Sequence, residues 1–407
     1  MKNLETLIPF DTALEKVLLE TTSFGTEKRA LTHSYGYVLA QSVNADRDFP
    51  PFDRSTRDGI AIHCQENETV QGKTYAIEGI APAGTEQMEL NNPSGCIEIM
   101  TGAILPKGCN TVVMYEHLKQ EGDSFQILEE VKTGQNIHEQ GSDVRHRESV
   151  LEPNVLIGAS EIGVMATVGL SEVLVKKLPK VAVISTGNEL VAVEEIPLPF
   201  QIRRSNSHSL VSLLKQEGIL AEAFHIEDDP LVIKETIQKL LQDFDVLLFS
   251  GGVSKGKYDF LPEVFTELGV EKVFHKVLQR PGKPFWFGTH ADSKTLVFAF
   301  PGNPVSTYVN YHLYFKPWLA ASLAQKTEEF SVFLEEAFDN PTPLDLFVGV
   351  KLNHQGGQIR ALPIATSGSG DLALLTKVDG FVRLRPRSKG YSKNELVPFF
   401  PTKPLFV

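Results

Sequence analysis

The chain has 407 residues, 42% hydrophobic and 22% charged, an ordinary globular composition and a length that predicts roughly two to four domains. Lys and Arg total 39 against 51 Asp and Glu, a net charge of −12. That balance excludes a general nucleic-acid binder, because affinity for a phosphate backbone needs basic clusters. No run approaches the roughly 18 apolar residues of a membrane span. The opening MKNLETLIPFDTALEKVLLE places acids early and lacks the apolar stretch of a secretory leader. Cys64, Cys96 and Cys109 show no CxxC spacing, which fits a reduced cytoplasm better than a disulfide framework or a zinc site.

In chain order, the first forty residues read as helical. Asp11 or Thr12 is the expected cap, and Leu14, Val17 and Leu18 repeat at helical spacing. FPPFDRSTRDGIAI, Phe49 to Ile62, then sets Asp53 and Asp58 on a tight, proline-stiffened connection with Arg54 and Arg57 between them. From Gln71 to Val131 short β-type runs alternate with turns such as APAGTE, NNPSG and LPKGCN, which predicts a compact β module. Helical character returns at Ala159 to Val168, so the β module is read as an insertion in a helical body.

Near Lys180 the pattern becomes strand, helix, strand, helix, strand: KVAVIST, NSHSLVSLLKQEG, ILAEAFHI, a helix opened by Asp229-Pro230, and DVLLFSGG. That alternation predicts a doubly wound α/β sheet, which binds ligands beyond the carboxyl ends of its strands. The last eighty residues, with LFVGVKL, IRALPI and FVRLRP, predict a small C-terminal β-barrel or sheet.

Four loops of the α/β region carry candidate chemistry. SGGVSKGKYD, Ser250 to Asp259, joins glycines that let backbone N–H groups approach an oxyanion to lysines that supply charge; it lacks P-loop spacing, and local sequence fits a plain turn equally well. STGNEL places Glu189 after a strand, where it suits Mg²⁺ or, more commonly, a helix N-terminus. QRPGKPFWFG holds Arg280 and Lys283 around a turn stiffened by Pro281 and Pro284. FPGNPVS ends in a helix start that offers free N–H groups to an anion or is simply capped.

The ordered set FDRSTRDG, IMTGAILPKGCNTVV, STGNEL, SNSHSL, SGGVSKGKYD, RPGKPFWFG and FPGNPVS closely resembles the molybdopterin molybdenumtransferases, the MoeA proteins, also represented by the E domain of gephyrin. The resemblance covers nearly the whole chain. It implies a multidomain α/β fold: a split helical, elongated domain (1–45 and 140–177), an inserted β domain (46–139), a doubly wound, MogA-like α/β domain (178–327) and a C-terminal β-barrel-like domain (328–407). It implies a molybdenum insertase that transfers molybdate onto adenylated molybdopterin and releases AMP with Mg²⁺ present. It also implies a homodimer whose acidic loop faces the α/β domain of the partner. Candidate protein partners are the molybdopterin adenylyltransferase and cofactor-accepting apo-enzymes.

Carried over by motif, the resemblance implies catalytic roles for Asp58, Thr101, Asp143, Glu189 and Asp259. It implies metal ligation by Glu189, Asp228 and Asp259. Cofactor contacts are implied for Ser185, Gly187, Asn206, Ser250, Gly251, Gly252, Ser254, Arg280, Lys283, Pro301 and Pro304. Asn188 stands where STGDE is usual, Arg280 replaces a common lysine, Arg57 and Ile60 replace the Met and Tyr of MDGY, and Val348 aligns loosely with a family arginine. The other readings are a molybdopterin adenylyltransferase, which the β module and FDRSTRDG argue against, and a non-catalytic pterin-binding scaffold, which the retained acids argue against.

Overall fold

A computed structural model describes residues 7–253 and 260–403. It forms two compact units: Lys28–Tyr35 with Leu39–Val173, and Met1–Glu27 with Gly36–Val38 and Leu174–Val407.

The smaller unit is organised by a six-stranded sheet. Its order is Thr111–Met114, Gly59–Ile62, Gly95–Ile99, Thr74–Ala81, Ser124–Ile127 and Leu118–Gln120. Alternate side chains feed opposite faces, as strand geometry requires: Ile60 and Ile62 join Tyr75, Cys96 and Phe125, whereas Ala61 joins Ile97, Ile99 and Val112. Gly59 begins the central strand because nothing larger fits; a Cβ there would lie 1.9 Å from the Val113 carbonyl oxygen. Two short antiparallel pairs extend the unit, Val43–Asn44 with Ser149–Leu151 and Arg54–Ser55 with Ile137–His138. The helix Ala159–Thr167 agrees with the sequence pattern.

The larger unit contains the expected α/β sheet, in the order Glu222–Ile226, Val181–Thr186, Val246–Ser250, Leu296–Phe300, Trp286–His290, Val270–His275. The first four strands are parallel and the last two antiparallel. Val181–Thr186, Val246–Ser250 and Leu296–Phe300 are buried at every residue, as parallel strands covered on both faces must be. Helix Asn206–Gln216 buries Leu210, Leu213 and Leu214, and the chain leaves it through Gly218 at φ +80°. Asp229 caps helix Pro230–Asp243 by accepting from the Leu231 and Val232 N–H groups.

At the C-terminus, Asp345–Gln355, Gln358–Pro363, Phe330–Leu334, Leu396–Pro401 and Gly380–Leu384 pair in sequence, and the last pairs back to the first. The ring of five strands is closed, so of the expected barrel or sheet the C-terminal region forms the barrel. Gln279–Arg280 pairs in parallel with Asp345 and Leu346, so the start of the PGKP turn is bonded to the barrel.

The amino-terminal stretch differs from its sequence reading. Among the described residues of that stretch only Phe10–Leu19 is α-helical; Thr26–Ala30 is a strand and Leu31–His33 a single 3₁₀ turn. Neither Asp11 nor Thr12 is the cap, because Pro9 occupies that position and the helix begins at Phe10. The buried stripe is Phe10, Ala13 and Val17; of the expected set Val17 belongs to it, and Leu14 packs half-buried against the same core. Phe10 fixes it, packing on Tyr314 and Phe347 at ring distances of 5.6 and 5.0 Å. Beyond Leu19, β-branched threonines and Gly25 at φ +84° disfavour continuation of the helix. Asp11 has a different task. With Asp345 it brackets the buried Arg383 guanidinium, whose Nη2 lies 2.9 Å from Asp11 Oδ2 and 2.8 Å from Asp345 Oδ2.

Candidate functional site

The acidic turn of the smaller unit is immobilised before any ligand is considered. Backbone bonds run from Ser55 N–H to Ala103, from Gly102 N–H to Ser55 and from Leu105 N–H to Asp53, stitching FDRSTRDG to the TGAIL turn. That stitching brings Asp58 to Thr101. Asp58 Oδ1 accepts both the Thr101 N–H at 2.6 Å and its hydroxyl at 2.8 Å. These two donors hold the Asp58 carboxyl below its ordinary range, so it is ionised at neutral pH. Asp53, the other acid of the motif, accepts from the Gln140 N–H at 2.7 Å and so anchors the loop carrying Asp143. Asp143 Oδ1 in turn accepts from His138 Nε2 at 2.8 Å. Asp58 and Asp143 thus share a design: each is exposed and tied by Oδ1.

In the larger unit, two hollows open at the carboxyl ends of the parallel strands. The first, about 470 Å³, is lined by Ser185, Thr186, Gly187, Glu189, Asn206, Asp228, Ser250, Gly251, Gly252, Pro301 and Pro304, with Arg203 and Arg204 at one side. Gly187, Gly251 and Gly252 all have positive φ, which exposes backbone that a side chain would cover. Asn206, first residue of its helix, donates to Ser250 Oγ at 2.8 Å and to the Gly302 carbonyl at 2.7 Å, locking three loops together. Asn188 and Asp228 exchange bonds: Asn188 N–H donates to Asp228 Oδ2 at 3.2 Å, and Asp228 N–H to Asn188 Oδ1 at 3.0 Å. The amide that departs from the family pattern is therefore a loop tether. The exposed Glu189 carboxylate folds back over Gly187. Thr186 is buried and its hydroxyl has no protein partner among the described residues, although it faces this hollow.

The second hollow, about 770 Å³, lies against the barrel. Arg280, Lys283, Asn303, Val348, Thr366 and Ser369 are among its lining residues. Arg280 and Lys283 are exposed and form no ion pair among the described residues. Their turn is fixed from beneath. Gln279 Nε2 donates to the Pro281 carbonyl at 2.9 Å and to Asn310 Oδ1 at 2.8 Å, and Asn310 Nδ2 donates to the Gly282 carbonyl at 3.2 Å. The Tyr314 hydroxyl closes the network on Gln279 Oε1. Gly282, at φ +89°, leaves no room for a methyl group, whose carbon would fall 2.3 Å from Asn310 Oδ1. Pro284, Pro301 and Asn303 line both hollows, so the two adjoin.

The sequence-predicted residues therefore fall into three groups. Ser185, Gly187, Glu189, Asn206, Asp228, Ser250, Gly251, Gly252 and Pro304 surround one hollow, Arg280 and Lys283 the other, and Pro301 both. Asp58 with Thr101, and separately Asp143, belong to the smaller unit. Ser254 and Asp259 lie outside the described residues. Thr186, Arg203, Arg204, Arg54 and His138 were not singled out as site residues by sequence; the signal for the arginine pair was IRRSN, two adjacent cations just before a helix cap. Among the described residues no three His, Cys, Asp or Glu side chains form a metal-binding group, and no helix is long and apolar enough to cross a membrane.

Comparison with known proteins accounts for both units. Residues 8–169 match the model of the MoeA N-terminal region (domain I and II), 182–321 the probable molybdopterin binding domain, and 334–402 the MoeA C-terminal region (domain IV). The chain is 36% identical over 399 residues to the molybdopterin molybdenumtransferase of Synechocystis sp., covering 97% of this chain and all of that one. The chain belongs to the MoeA family. Another relative, from Bacillus subtilis and of the same name, is 31% identical over 408 residues, covering 96% of this chain and 93% of its own length. A crystal structure of the molybdopterin biosynthesis MoeA protein from Pyrococcus horikoshii OT3 superposes with a TM-score of 0.83 at 28% identity, covering 97% of this chain and 100% of that one. The MoeA match thus extends over the β module, the α/β sheet and the barrel alike.

Proposed function

We propose that this chain is a molybdopterin molybdenumtransferase that inserts molybdenum from molybdate into adenylated molybdopterin and releases AMP. The observation that carries the reading is the pair of adjoining hollows, one lined by Glu189, Asp228 and open glycine backbone with Arg203 and Arg204 at one side, the other by Glu336 and by Arg280 and Lys283, which have no ion-pair partner among the described residues. Molybdate is an oxyanion and is assigned to Arg280 and Lys283, whose charges no ion pair among the described residues neutralises, and the pterin adenylate to the glycine-lined side, where the backbone is open and Arg203 and Arg204 lie close. Release of AMP is cleavage of a phosphoanhydride-type bond, which depends on positioning and on neutralising developing charge. Ser185, Gly187, Asn206, Ser250, Gly251, Gly252, Pro301 and Pro304 shape the cradle, and Ser254 is placed with them from the sequence.

Mg²⁺ fits the donor set. It is a hard cation that takes oxygen ligands and keeps several waters, so one or two protein carboxylates suffice beside substrate phosphates. Glu189 and Asp228 line the same hollow and would hold it, with Asp259 as the third carboxylate. When bound, the ion would neutralise phosphate charge. Asp58, presented by Thr101, and Asp143 are assigned to the metal-insertion step.

We further infer a homodimer in which Asp58 of one subunit serves the site of its partner. The adenylyltransferase and apo-enzymes that accept the finished cofactor are proposed as transient partners. Buried, unpaired Cys64, Cys96 and Cys109 support a reducing, cytoplasmic location. Domain boundaries are proposed near residues 46, 139, 178 and 327. The deciding experiment is product analysis with adenylated and unadenylated molybdopterin. Molybdenum-loaded cofactor and AMP from the adenylated form support the reading. Adenylation of the unadenylated form shows the partner reaction instead, and binding without turnover shows a scaffold.

A further inference from the structure

Asp143 is held by a contact that its own motif does not announce. Strand Ile137–His138 runs antiparallel to Arg54–Ser55, with His138 directly opposite Arg54, so their side chains share one face. Arg54 Nη2 lies 3.2 Å from His138 Nδ1. A guanidinium is always charged and has only donors. Nδ1 must therefore be the unprotonated acceptor, and the ring proton resides on Nε2. That N–H faces Asp143 Oδ1 at 2.8 Å. The order Arg54, His138, Asp143 is a one-way chain of donors in which arginine chemistry selects the histidine tautomer.

The backbone beneath is fixed as well. Asp143 N–H donates to the Phe49 carbonyl at 3.0 Å, Gly141 N–H to Pro50 at 3.0 Å, and Gln140 N–H to Asp53 Oδ1 at 2.7 Å. The FPPFDR segment, which carries Arg54, thus holds the Asp143 loop through main chain and side chain together. We propose that Arg54 and His138 form a positioning pair for Asp143, fixing Oδ1 and leaving Oδ2 for the reacting groups during molybdenum insertion. The proposal rests on the reading that Asp143 acts in that reaction. A bond between side chains 29% and 56% exposed adds little to stability, so its purpose is placement of the carboxylate.

The test uses the full-length chain with adenylated molybdopterin and molybdate. Asp143→Asn and His138→Leu should each lower kcat for insertion by about 10–100-fold, the scale of a misplaced group, with KM for the adenylate little changed. His138→Gln retains an N–H donor near the Nε2 position and should recover most of the rate, which a role in packing alone would not produce. ¹⁵N chemical shifts of the His138 ring should show the proton on Nε2, and Arg54→Met should release that preference. Full activity of His138→Leu beside an impaired Asp143→Asn, or a proton on Nδ1 in the unmodified protein, overturns the positioning pair. A fully active Asp143→Asn overturns the reading of Asp143 itself and the pair with it. The two failures differ in which variant remains active.

Discussion

Lys283→Ala tests the basic turn most directly. Lys283 is exposed and has no carboxylate partner among the described residues, so its removal leaves no buried charge behind. The loss in ligand affinity is then the loss of one charge-assisted contact, about 1.5–3 kcal/mol, or roughly one to two decades in Kd. Because the site opens to solvent, added salt should mask part of the difference. Gly282→Ala supplies the geometric control. It keeps both cations but forces the backbone away from Asn310 and from φ +89°, displacing Arg280 and Lys283 together. Its loss should match or exceed that of Lys283→Ala, and the double variant should lose less than the sum, since both act on one turn. Titration calorimetry with molybdate and with adenylated molybdopterin gives the constants, and circular dichroism confirms folding. A folded Lys283→Ala that binds both ligands as the parent does would refute the assignment of the oxyanion to this turn.

Asp58→Asn should leave adenylate affinity near normal while slowing single-turnover formation of molybdenum-loaded cofactor; the reverse pattern would exchange the roles of acidic and basic turns. Glu189→Gln should lower AMP release by roughly 10²-fold with folding unchanged, and wild-type release would remove Glu189 from the site. Arg383→Met should cost about 3–5 kcal/mol in urea unfolding because it strands the buried Asp345 carboxylate, whereas Asp11→Asn, at an acid 51% exposed, should cost about 0–1 kcal/mol. The hydrogen bond from Arg383 holds the Asp11 carboxyl below its ordinary value. Its contribution is therefore present above the unfolded-state pKa and lost as pH falls through the lower folded-state value, so the stabilities of Asp11→Asn and the parent should converge in strong acid. Light scattering at micromolar concentration should give about twice the 45.0 kDa chain mass, and a fully active monomer would sink the shared site.

What the sequence made legible follows from the range of the forces involved. The α/β sheet was readable because its signals are local: buried apolar runs such as VAVIST, the Asp229 cap and the Gly218 stop each act within a few residues. The start of the amino-terminal helix was read late because its first turn is anchored by Phe10 meeting Tyr314 and Phe347, partners some three hundred residues away that no local period reports. The same distinction divides the candidate site. Glycine turns and cations announce themselves in short motifs, but the restraints that give them shape come from afar: Asn310 and Tyr314 beneath the PGK turn, Thr101 on Asp58, Asn206 across three loops. Within FDRSTRDG the two carboxylates look alike in sequence. Their partners separate them: Asp53 accepts the Gln140 N–H of the Asp143 loop, whereas Asp58 accepts both the N–H and the hydroxyl of Thr101. The two acids of the motif are thus tied to different loops, so loosening one tie tests one carboxylate at a time. Thr101→Val removes the hydroxyl donor while the backbone N–H remains, so it should loosen Asp58 without deleting any charge. Its effect on the insertion rate measures what placement of that carboxylate contributes.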